Sequence, residues 1–115
     1  MAKLYFNYST MNAGKSTVLL QAAHNYAERG MQTYLLTAQF DNRAGAGRIA
    51  SRIGIGEPAD TFARNDDLFR KIEQRMAAGP CACVFIDEAQ FLSTDQVWQL
   101  ARAVDDLGLP VMTYG

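Results

Sequence analysis

The alternation of short apolar segments with longer segments at helical spacing is the feature that most restricts how this chain can fold. Three segments carry apolar residues at the helical spacing of an amphipathic helix, two of them in the full i, i+3, i+4, i+7 pattern, and each is followed by a glycine. We predict these helices from Lys15 to about Arg29, from Leu68 to Gly79-Pro80, and from the capping box Ser93-Thr94-Asp95-Gln96 to Gly108. Four short strands are predicted around them, at residues 4–8, 33–37, 81–86 and 110–114. Helix-length crossovers between short strands are typical of the α/β class, so we expect a parallel sheet flanked by helices.

The composition is that of a small globular chain. Its 115 residues are 49% hydrophobic and 20% charged, with a formal net charge of -1. A folded chain of this size buries roughly 60 to 70% of the surface that its unfolded form exposes. This excludes the disordered, collagen-like and disulfide-framework classes, and we expect residues 1–115 to form one domain. The near-neutral charge gives no general attraction to nucleic acid or to anionic membranes, so neither is an expected partner.

The sequence shows no targeting or membrane signal. The N-terminus lacks the apolar stretch of ~7 to 15 residues that a signal peptide requires. No window approaches the ~20 apolar residues of a membrane span. The expected location is therefore the cytoplasm.

Four residues that often carry chemistry are expected to be structural here. Cys81 and Cys83 lie in an apolar run and are predicted to be buried, reduced thiols, because a zinc site would need more ligands. His24 lies within the first helix, with no carboxylate or cysteine partner apparent. Trp98 lies beside the apolar stripe of the last helix, and we expect it to pack rather than to bind a nucleobase.

A phosphate-binding loop is predicted between the first strand and the first helix. Ser9 to Ser16 matches the pattern G-x-x-x-x-G-K-[ST] at every fixed position except the first, where serine replaces glycine. Backbone amides from Met11 to Ser16 would surround the phosphates, and Lys15 would span the outer ones at the positive end of the helix. Ser16 would then bind magnesium. The alternative is that Gly14 is an ordinary turn residue and Lys15 a solvated charge.

An acidic pair, Asp87 and Glu88, ends the third apolar strand. A Walker B pair has this arrangement: the aspartate holds a magnesium-bound water, and the glutamate accepts a proton at the same carboxyl edge. Neighbouring residues at a strand end point in different directions, which allows the two carboxylates separate roles. The alternative is an acidic pair that opens a helix and complements its dipole.

Residues 41–56 are rich in glycine and arginine and show no sustained apolar period. We expect a long loop that is mobile without ligand, because loops of this length are usually functional or disordered. Arg43, Arg48 and Arg52 would form a cationic lid over transferring phosphates, and Arg43 is the favoured contact. A solvated flexible loop explains the same composition.

Motifs that carry a family resemblance extend over essentially the whole chain. They are Ser9–Thr17 (Ser-Thr-Met-Asn-Ala-Gly-Lys-Ser-Thr), Asn25-Tyr26, Glu28-Arg29-Gly30-Met31, Asp41-Asn42-Arg43, Gly45-Ala46-Gly47, Ser51-Arg52-Ile53-Gly54, Asp87-Glu88-Ala89-Gln90-Phe91 and Tyr114-Gly115. Together they resemble the cytosolic-type (type II) thymidine kinases, and the bacterial branch fits best. We therefore expect a RecA-like P-loop NTPase core with nucleotide phosphates at the carboxyl edge of the sheet. The resemblance implies ATP-dependent phosphorylation of the 5′-hydroxyl of thymidine, a salvage step that supplies DNA synthesis.

The resemblance also implies roles for residues that match the family motifs. Glu88 matches the general base that takes the hydroxyl proton, and Arg43 matches a loop arginine near the reacting oxygen. Met11 and Phe91 match the apolar lining near the thymine, while Asp41 matches a residue that touches the sugar or fixes Arg43. The ATP and phosphate positions are matched by Ser9, Met11, Asn12, Ala13, Gly14, Lys15, Ser16 and Thr17. The magnesium positions are matched by Ser16 and, through water, Asp87.

The sequence departs from the family pattern at Ala44, where an aromatic residue is common, and after Gly115. The family continues with another functional loop, a zinc-binding module of paired cysteines and a lasso that grips the thymine through backbone groups. We therefore expect this chain to be a truncated donor-binding core, with zinc only in the missing C-terminal region. Such a core is expected to bind ATP with magnesium but not to prefer thymidine over other nucleosides.

The resemblance implies thymidine and ATP as partners, a homo-oligomer (a tetramer) for the full-length family, and dTTP as a feedback inhibitor. Two other functions stay open on the residues alone. One is an ATP-binding module without transferase activity in this form. The other is a P-loop ATPase coupled to motion or to a partner, in which Glu88 would activate water instead of the sugar hydroxyl.

Overall fold

The computed structural model describes residues 3–7, 15–38, 48–50 and 56–115, and for residues 15–17, 48–50 and 56–58 the backbone alone. The elements in chain order are β1 (Leu4–Asn7), α1 (Lys15–Glu28), β2 (Thr33–Ala38), β3 (Arg48–Ala50), β4 (Gly56–Pro58), β5 (Asp60–Phe62), α2 (Leu68–Ala78), β6 (Cys83–Asp87), a 3₁₀ helix (Ala89–Phe91), α3 (Thr94–Leu107) and β7 (Val111–Tyr114). None of the helices in this described part of the chain has the length and apolar character needed to cross a membrane.

Five of these strands form one parallel sheet in the order β1-β7-β6-β2-β5. Helix α1 packs on one face of the sheet, and α2 and α3 pack on the opposite face. β7 lies between β1 and β6, although it comes last in the sequence. This architecture confirms the predicted α/β class with a parallel sheet flanked by helices, the arrangement expected of a P-loop NTPase.

Side chains alternate along the central strands and so divide the core into two parts. The part beneath α1 contains Leu19, Leu20, Ala23, Leu35, Cys83, Phe85 and Tyr114. The part beneath α2 and α3 includes Tyr34, Leu36, Leu68, Ile72, Val84, Ile86, Leu100 and Val111. Each fully buried aliphatic or phenylalanine side chain contributes about 1.5–3 kcal/mol to folding, so both helical layers hold the sheet.

Gln96 joins the start of α3 to the turn that precedes α2. Its backbone N–H donates to Ser93 Oγ at 3.2 Å, and its Oε1 accepts from the Ser93 N–H at 3.0 Å, which confirms the predicted capping box. The other end of the amide, Nε2, donates to the carbonyl oxygens of Ala63 (2.7 Å) and Asp66 (3.1 Å). Gln96 is only 1% exposed, so these bonds form away from water.

The remaining helix ends follow local chemistry. Asp67 caps α2 by accepting from the Arg70 N–H at 3.2 Å. Gly30, two residues after the end of α1, and Gly108, directly after the end of α3, adopt left-handed backbone conformations with φ of 75° and 69°. These glycines confirm the predicted helix ends, because residues with a β-carbon rarely adopt this conformation.

The structure corrects the prediction of an unbroken loop over residues 41–56. Residues 48–50 form β3, which pairs antiparallel with β4. β5, which the sequence patterns do not predict, pairs parallel with β2 at an edge of the main sheet. Strands of three residues are too short to show the two-residue alternation that identifies a strand. The rest of the loop, including Arg43 and Arg52, lies outside the described residues.

Trp98 and Cys81, two of the expected structural residues, differ from prediction. Trp98 is 69% exposed, so the prediction that it packs was wrong; it lies about 100° around α3 from the apolar stripe. His24 is an exposed structural histidine, as expected, and the carboxylate partner that was not apparent from the sequence is Glu28, whose Oε1 lies 2.9 Å from His24 Nε2 one turn later. β6 begins at Cys83, so Cys81 precedes the strand and is half-buried.

Candidate functional site

The carboxyl ends of the five parallel strands meet at one edge of the sheet, where ligands bind in open α/β folds. Asn7 ends β1, Tyr114 ends β7 and Asp87 ends β6. Asn7 and Asp87 are both in register with Tyr114. Neighbouring strands are ~4.8 Å apart, so the backbones of Asn7 and Asp87 are separated by about 10 Å. The strand that leads toward the phosphate-loop sequence and the strand that carries the acidic pair therefore end close together.

Helix α1 begins at this same edge. It connects the carboxyl end of β1 to the amino end of the parallel strand β2, which brings its N-terminus at Lys15 to the carboxyl edge. The first N–H groups of a helix have no partner within the helix, and the helix dipole makes this end positive. The structure describes the backbone of Lys15, Ser16 and Thr17. The other predicted phosphate-loop residues lie outside the described residues: Ser9, Met11, Asn12, Ala13 and Gly14.

Asp87 is a buried carboxylate at this edge, with 4% of its surface exposed. Cys83 and Phe85 on the same strand belong to the core beneath α1. Because side chains alternate along a strand, Asp87 faces the same side of the sheet. A carboxylate is thus held on the face that α1 covers, at the end where α1 begins.

Glu88 leaves the strand through a left-handed turn. Its backbone has φ 59° and ψ 40°, and among the described residues no other non-glycine residue has a positive φ. This conformation costs a residue with a β-carbon roughly 1–2 kcal/mol. The residue is 4% exposed, and its Oε2 accepts a 2.8 Å hydrogen bond from Nε2 of Gln90. Strained backbone of this kind is concentrated at functional sites, which supports a functional role for Glu88.

The 3₁₀ helix holds Phe91 close to Glu88. The Phe91 N–H donates to the Glu88 carbonyl at 3.1 Å, and the Leu92 N–H donates to the Ala89 carbonyl at 3.1 Å. Ala89 is buried, and Leu92 packs against the core beneath α2 and α3, so the turn is anchored on both sides of Phe91. Phe91 itself is 37% exposed and presents apolar surface at the site.

Aromatic and thiol side chains support the site from beneath α1. The Phe85 ring stacks on Tyr114 with 6.4 Å between centroids and meets Tyr26 edge-on at 5.8 Å.

Burial raises the pKa of the Cys83 thiol to about 11, and it also raises the pKa of Cys81. Both cysteines are therefore protonated at neutral pH, the poorly nucleophilic form. The prediction of a buried, reduced thiol is confirmed for Cys83, whereas Cys81 is only half-buried.

The structure brings together Asp87, Glu88 and Phe91 from the predicted site. Asp41 and Arg43 lie outside the described residues. Gln90 is a site residue that sequence reasoning misses, although it lies within the motif Asp-Glu-x-Gln-Phe. In a helix, side chains two residues apart do not face each other. In a strand they lie on the same face but point outward side by side, so sequence spacing alone does not indicate this contact.

Comparisons with known proteins identify a family for the chain. A family model described as thymidine kinase matches residues 2–115. A thymidine kinase of Jannaschia sp. (strain CCS1) is 76% identical over 115 residues, which are all of this chain and 59% of that protein. The thymidine kinases of Ruegeria pomeroyi and Agrobacterium fabrum are 75% and 64% identical over the whole chain, which covers 58% and 60% of their lengths. The chain thus spans about three fifths of the length of these curated relatives.

Proposed function

The chain belongs to the thymidine kinase family, and on this basis we propose that the whole protein transfers the γ-phosphate of ATP to the 5′-hydroxyl of thymidine. The observation that carries the proposal is the buried acidic pair Asp87 and Glu88 at the end of β6, close to the end of β1. Phosphoryl transfer needs a phosphate cradle, oxygen ligands for a divalent cation and a group that receives the proton, all in one place. The phosphate-loop sequence follows β1, so these parts converge on one edge of the sheet.

In this proposal the ATP phosphates bind at the N-terminus of α1. Backbone N–H groups of residues 11–16 donate to the phosphate oxygens, and Gly14 allows the backbone to approach closely. Lys15 places its ammonium group against the outer phosphates. The rest of the proposed loop is Ser9, Asn12, Ala13 and Thr17. The helix start at Lys15 and its position at the carboxyl edge support this arrangement.

Magnesium is proposed to be held by Ser16 and, through water, by Asp87. Mg²⁺ prefers oxygen ligands, retains several waters and is usually bound by one or two carboxylates together with substrate phosphates. The donor set fits this preference, because Ser16 lies in the first turn of α1 and Asp87 is a buried carboxylate on the face that α1 covers. The chemistry supplied by the bound ion is neutralisation of charge on the β- and γ-phosphates.

Glu88 is proposed as the general base. The 5′-oxygen attacks the γ-phosphorus, and its new bond forms as the bond from that phosphorus to the β,γ-bridging oxygen breaks. The hydroxyl proton passes to the Glu88 carboxylate, and ADP leaves with the electron pair of the broken bond. Arg43 is proposed to stabilise charge on the transferring group. The fixed, buried position of Glu88 supports this role, since a base must lie within hydrogen-bond reach of its proton.

Thymidine is proposed to bind beside the 3₁₀ helix. Phe91 and Met11 would supply apolar contacts to the thymine, and Asp41 would contact the sugar or orient Arg43. The partial exposure of the Phe91 ring supports the first of these contacts. Apolar contacts bind a base without reading its hydrogen-bonding groups, so selectivity for thymine requires further polar groups.

Further properties of the whole protein are proposed from the resemblance and the family match. Residues 1–115 would form the ATP-binding domain. Zinc would be bound in the part of the relatives' length that this chain does not span. The protein would be a homotetramer and would be inhibited by dTTP. Metal analysis, sedimentation and inhibition by added dTTP test these three properties separately.

Product analysis tests the proposed function. The whole protein is incubated with γ-labelled ATP, magnesium and thymidine, and the label is expected in thymidine 5′-monophosphate. 5′-Deoxythymidine, which lacks the acceptor hydroxyl, is the matched control and should remain unlabelled. Retention of ATP without any product would indicate a binding module. Release of labelled phosphate that does not depend on thymidine would indicate an ATPase.

A further inference from the structure

The side chain of Gln90 turns back toward Glu88, the proposed base. Its Nε2 lies 2.8 Å from Oε2 of Glu88. An ionised carboxylate only accepts hydrogen bonds, so the amide nitrogen, and not the amide oxygen, must face it. Gln90 is exposed whereas Glu88 is 4% exposed, so this bond links a residue at the surface of the site to a buried carboxylate.

The backbone around the pair brings the two side chains together. The left-handed conformation of Glu88 ends β6 abruptly, and the 3₁₀ helix then begins at Ala89. The bond from the Phe91 N–H to the Glu88 carbonyl closes this turn around Gln90. Local backbone geometry therefore brings the two side chains together.

A hydrogen bond to Glu88 has a defined physical effect. Ordering a glutamate side chain costs up to ~2 kcal/mol of conformational entropy, and the last torsion sets the plane of the carboxylate. The Gln90 amide binds one carboxylate oxygen and so restricts that plane. Because the amide is neutral, it adds no charge that would compete for the phosphates.

We propose that Gln90 is a positioning residue that holds the Glu88 carboxylate in the orientation that accepts the 5′-hydroxyl proton. The role rests on the proposed function, in which Glu88 is the base. Gln90 acts through Glu88 and has no assigned contact with ATP or thymidine. Orientation has a large effect on rate, since a misplacement of about 1 Å can cost roughly 10²-fold.

Steady-state kinetics of the whole protein test the proposal through a double-mutant cycle. The variants are Gln90→Met, which keeps the length of the side chain without a donor, Glu88→Gln, and the combination of both. Gln90→Met is expected to lower kcat about 10- to 100-fold and to leave the KM values for thymidine and ATP within about threefold of wild type. In the Glu88→Gln background the same change should alter kcat by less than about twofold, because no base remains to be positioned.

Gln99→Ala is the control for a purely structural loss. Gln99 Oε1 accepts a 2.8 Å hydrogen bond from the Leu68 N–H at the start of α2. Its removal should lower the unfolding temperature, with the same effect on kcat per folded molecule in both backgrounds. Thermal unfolding of every variant reports the folded fraction, so a fall in kcat that merely follows unfolding is recognised.

Three results would overturn the positioning role. An unchanged kcat in Gln90→Met would remove it, and a rise in the KM for thymidine alone would reassign Gln90 to contact with the base. A full additional loss in the Glu88→Gln background would show that Gln90 acts independently of Glu88. Failure of the proposed function gives different results. Either wild type forms no thymidine 5′-monophosphate, or Glu88→Gln turns over at the rate of wild type. Either result would also contradict the positioning role of Gln90.

Discussion

Asn7 and Asp87 end two strands that do not touch, yet they lie level with each other across the sheet because each is in register with Tyr114. β7 spans this separation of about 10 Å, and the Gly115 N–H at its end donates to the Asn7 carbonyl oxygen at 2.9 Å. The phosphates and the hydrated cation of the proposed site would therefore lie beyond the strand ends and not between them. The Tyr114 side chain is buried beneath α1, where it stacks on Phe85. The Tyr114 side chain therefore does not cover the carboxyl edge of the sheet, where α1 begins.

Removal of the Lys15 ammonium group should weaken ATP binding. A hydrogen bond to a charged group contributes ~1.5–3 kcal/mol, so Lys15→Ala is expected to raise the Kd for ATP about 10- to 100-fold. Lys3→Ala is the matched control, because Lys3 is exposed and precedes β1 at the opposite edge of the sheet. Isothermal titration with magnesium present measures both variants, and an unchanged affinity in Lys15→Ala would contradict the phosphate-loop assignment.

Because the backbone of Glu88 is left-handed, replacement of Glu88 by glycine should destabilise the fold less than replacement by alanine. Glycine adopts this conformation without steric cost, whereas alanine retains a β-carbon. Glu88→Gly is therefore expected to be more stable than Glu88→Ala by about 1 kcal/mol, although both should lack kinase activity. Urea unfolding of the two variants gives the difference. Equal stability, or a more stable alanine variant, would argue against the left-handed conformation.

The three long helices could be predicted from the sequence because each carries its own signals. The capping box at Ser93 and the glycines Gly30 and Gly108 act within a few residues, and the structure has them in these roles. The parallel sheet followed from the helix-length connections. The phosphate loop and the acidic pair could be predicted as candidates because their chemistry requires particular residue types at fixed spacing. The structure describes the acidic pair, whereas residues 9–14 of the loop lie outside the described residues.

The remaining features depend on contacts between distant or irregular segments. β3, β4 and β5 have three residues each, and pairing with partners elsewhere in the chain defines them. The conformation of Glu88 is one that sequence preferences assign to glycine or asparagine, so no residue pattern indicates it. The Gln90 contact follows from that conformation and was equally unpredictable. Trp98 lay next to an apolar stripe in the sequence, but one residue of displacement turns a helical side chain away from the core.

Gln96 should be among the residues whose truncation destabilises the fold most. Gln96→Ala removes half of the capping box and leaves the carbonyls of Ala63 and Asp66 without this buried donor. The expected loss is about 2–4 kcal/mol in the free energy of unfolding, from the cap and the unsatisfied acceptors together. Gln74→Ala on the exposed side of α2 is the control and should change stability by no more than about 0.5 kcal/mol. A similar loss in both variants would contradict the role of Gln96.

The raised pKa of the Cys83 thiol should lower the free energy of unfolding at alkaline pH. Burial raises its pKa from 9.0 to about 11, so the folded state holds the proton more tightly than the unfolded state. The resulting stabilisation is complete below pH 9 and disappears as the pH rises through 11. The stability advantage of wild type over Cys83→Ala should therefore shrink across this interval, as measured by urea unfolding at several pH values. A difference that stays constant with pH would contradict the raised pKa. Burial also raises the pKa of Tyr26, Tyr34 and Tyr114 in both proteins. Cys83 raises the pKa of Tyr26 and Tyr114 further, and loss of this contribution in Cys83→Ala shifts the difference in the same direction.

The most direct test of the account is the turnover of the Glu88→Gln variant at saturating ATP and thymidine. The amide keeps the size of the side chain but cannot accept the 5′-hydroxyl proton, and general-base catalysis contributes roughly 10²- to 10⁴-fold. Glu73→Gln, an exposed change of the same type on α2, is the control and should match wild type. Glu88→Gln is expected to form thymidine 5′-monophosphate at least ~10²-fold more slowly while its ATP affinity stays within about twofold of wild type. Turnover equal to wild type would contradict the assignment of Glu88 as the base and with it the proposed mechanism.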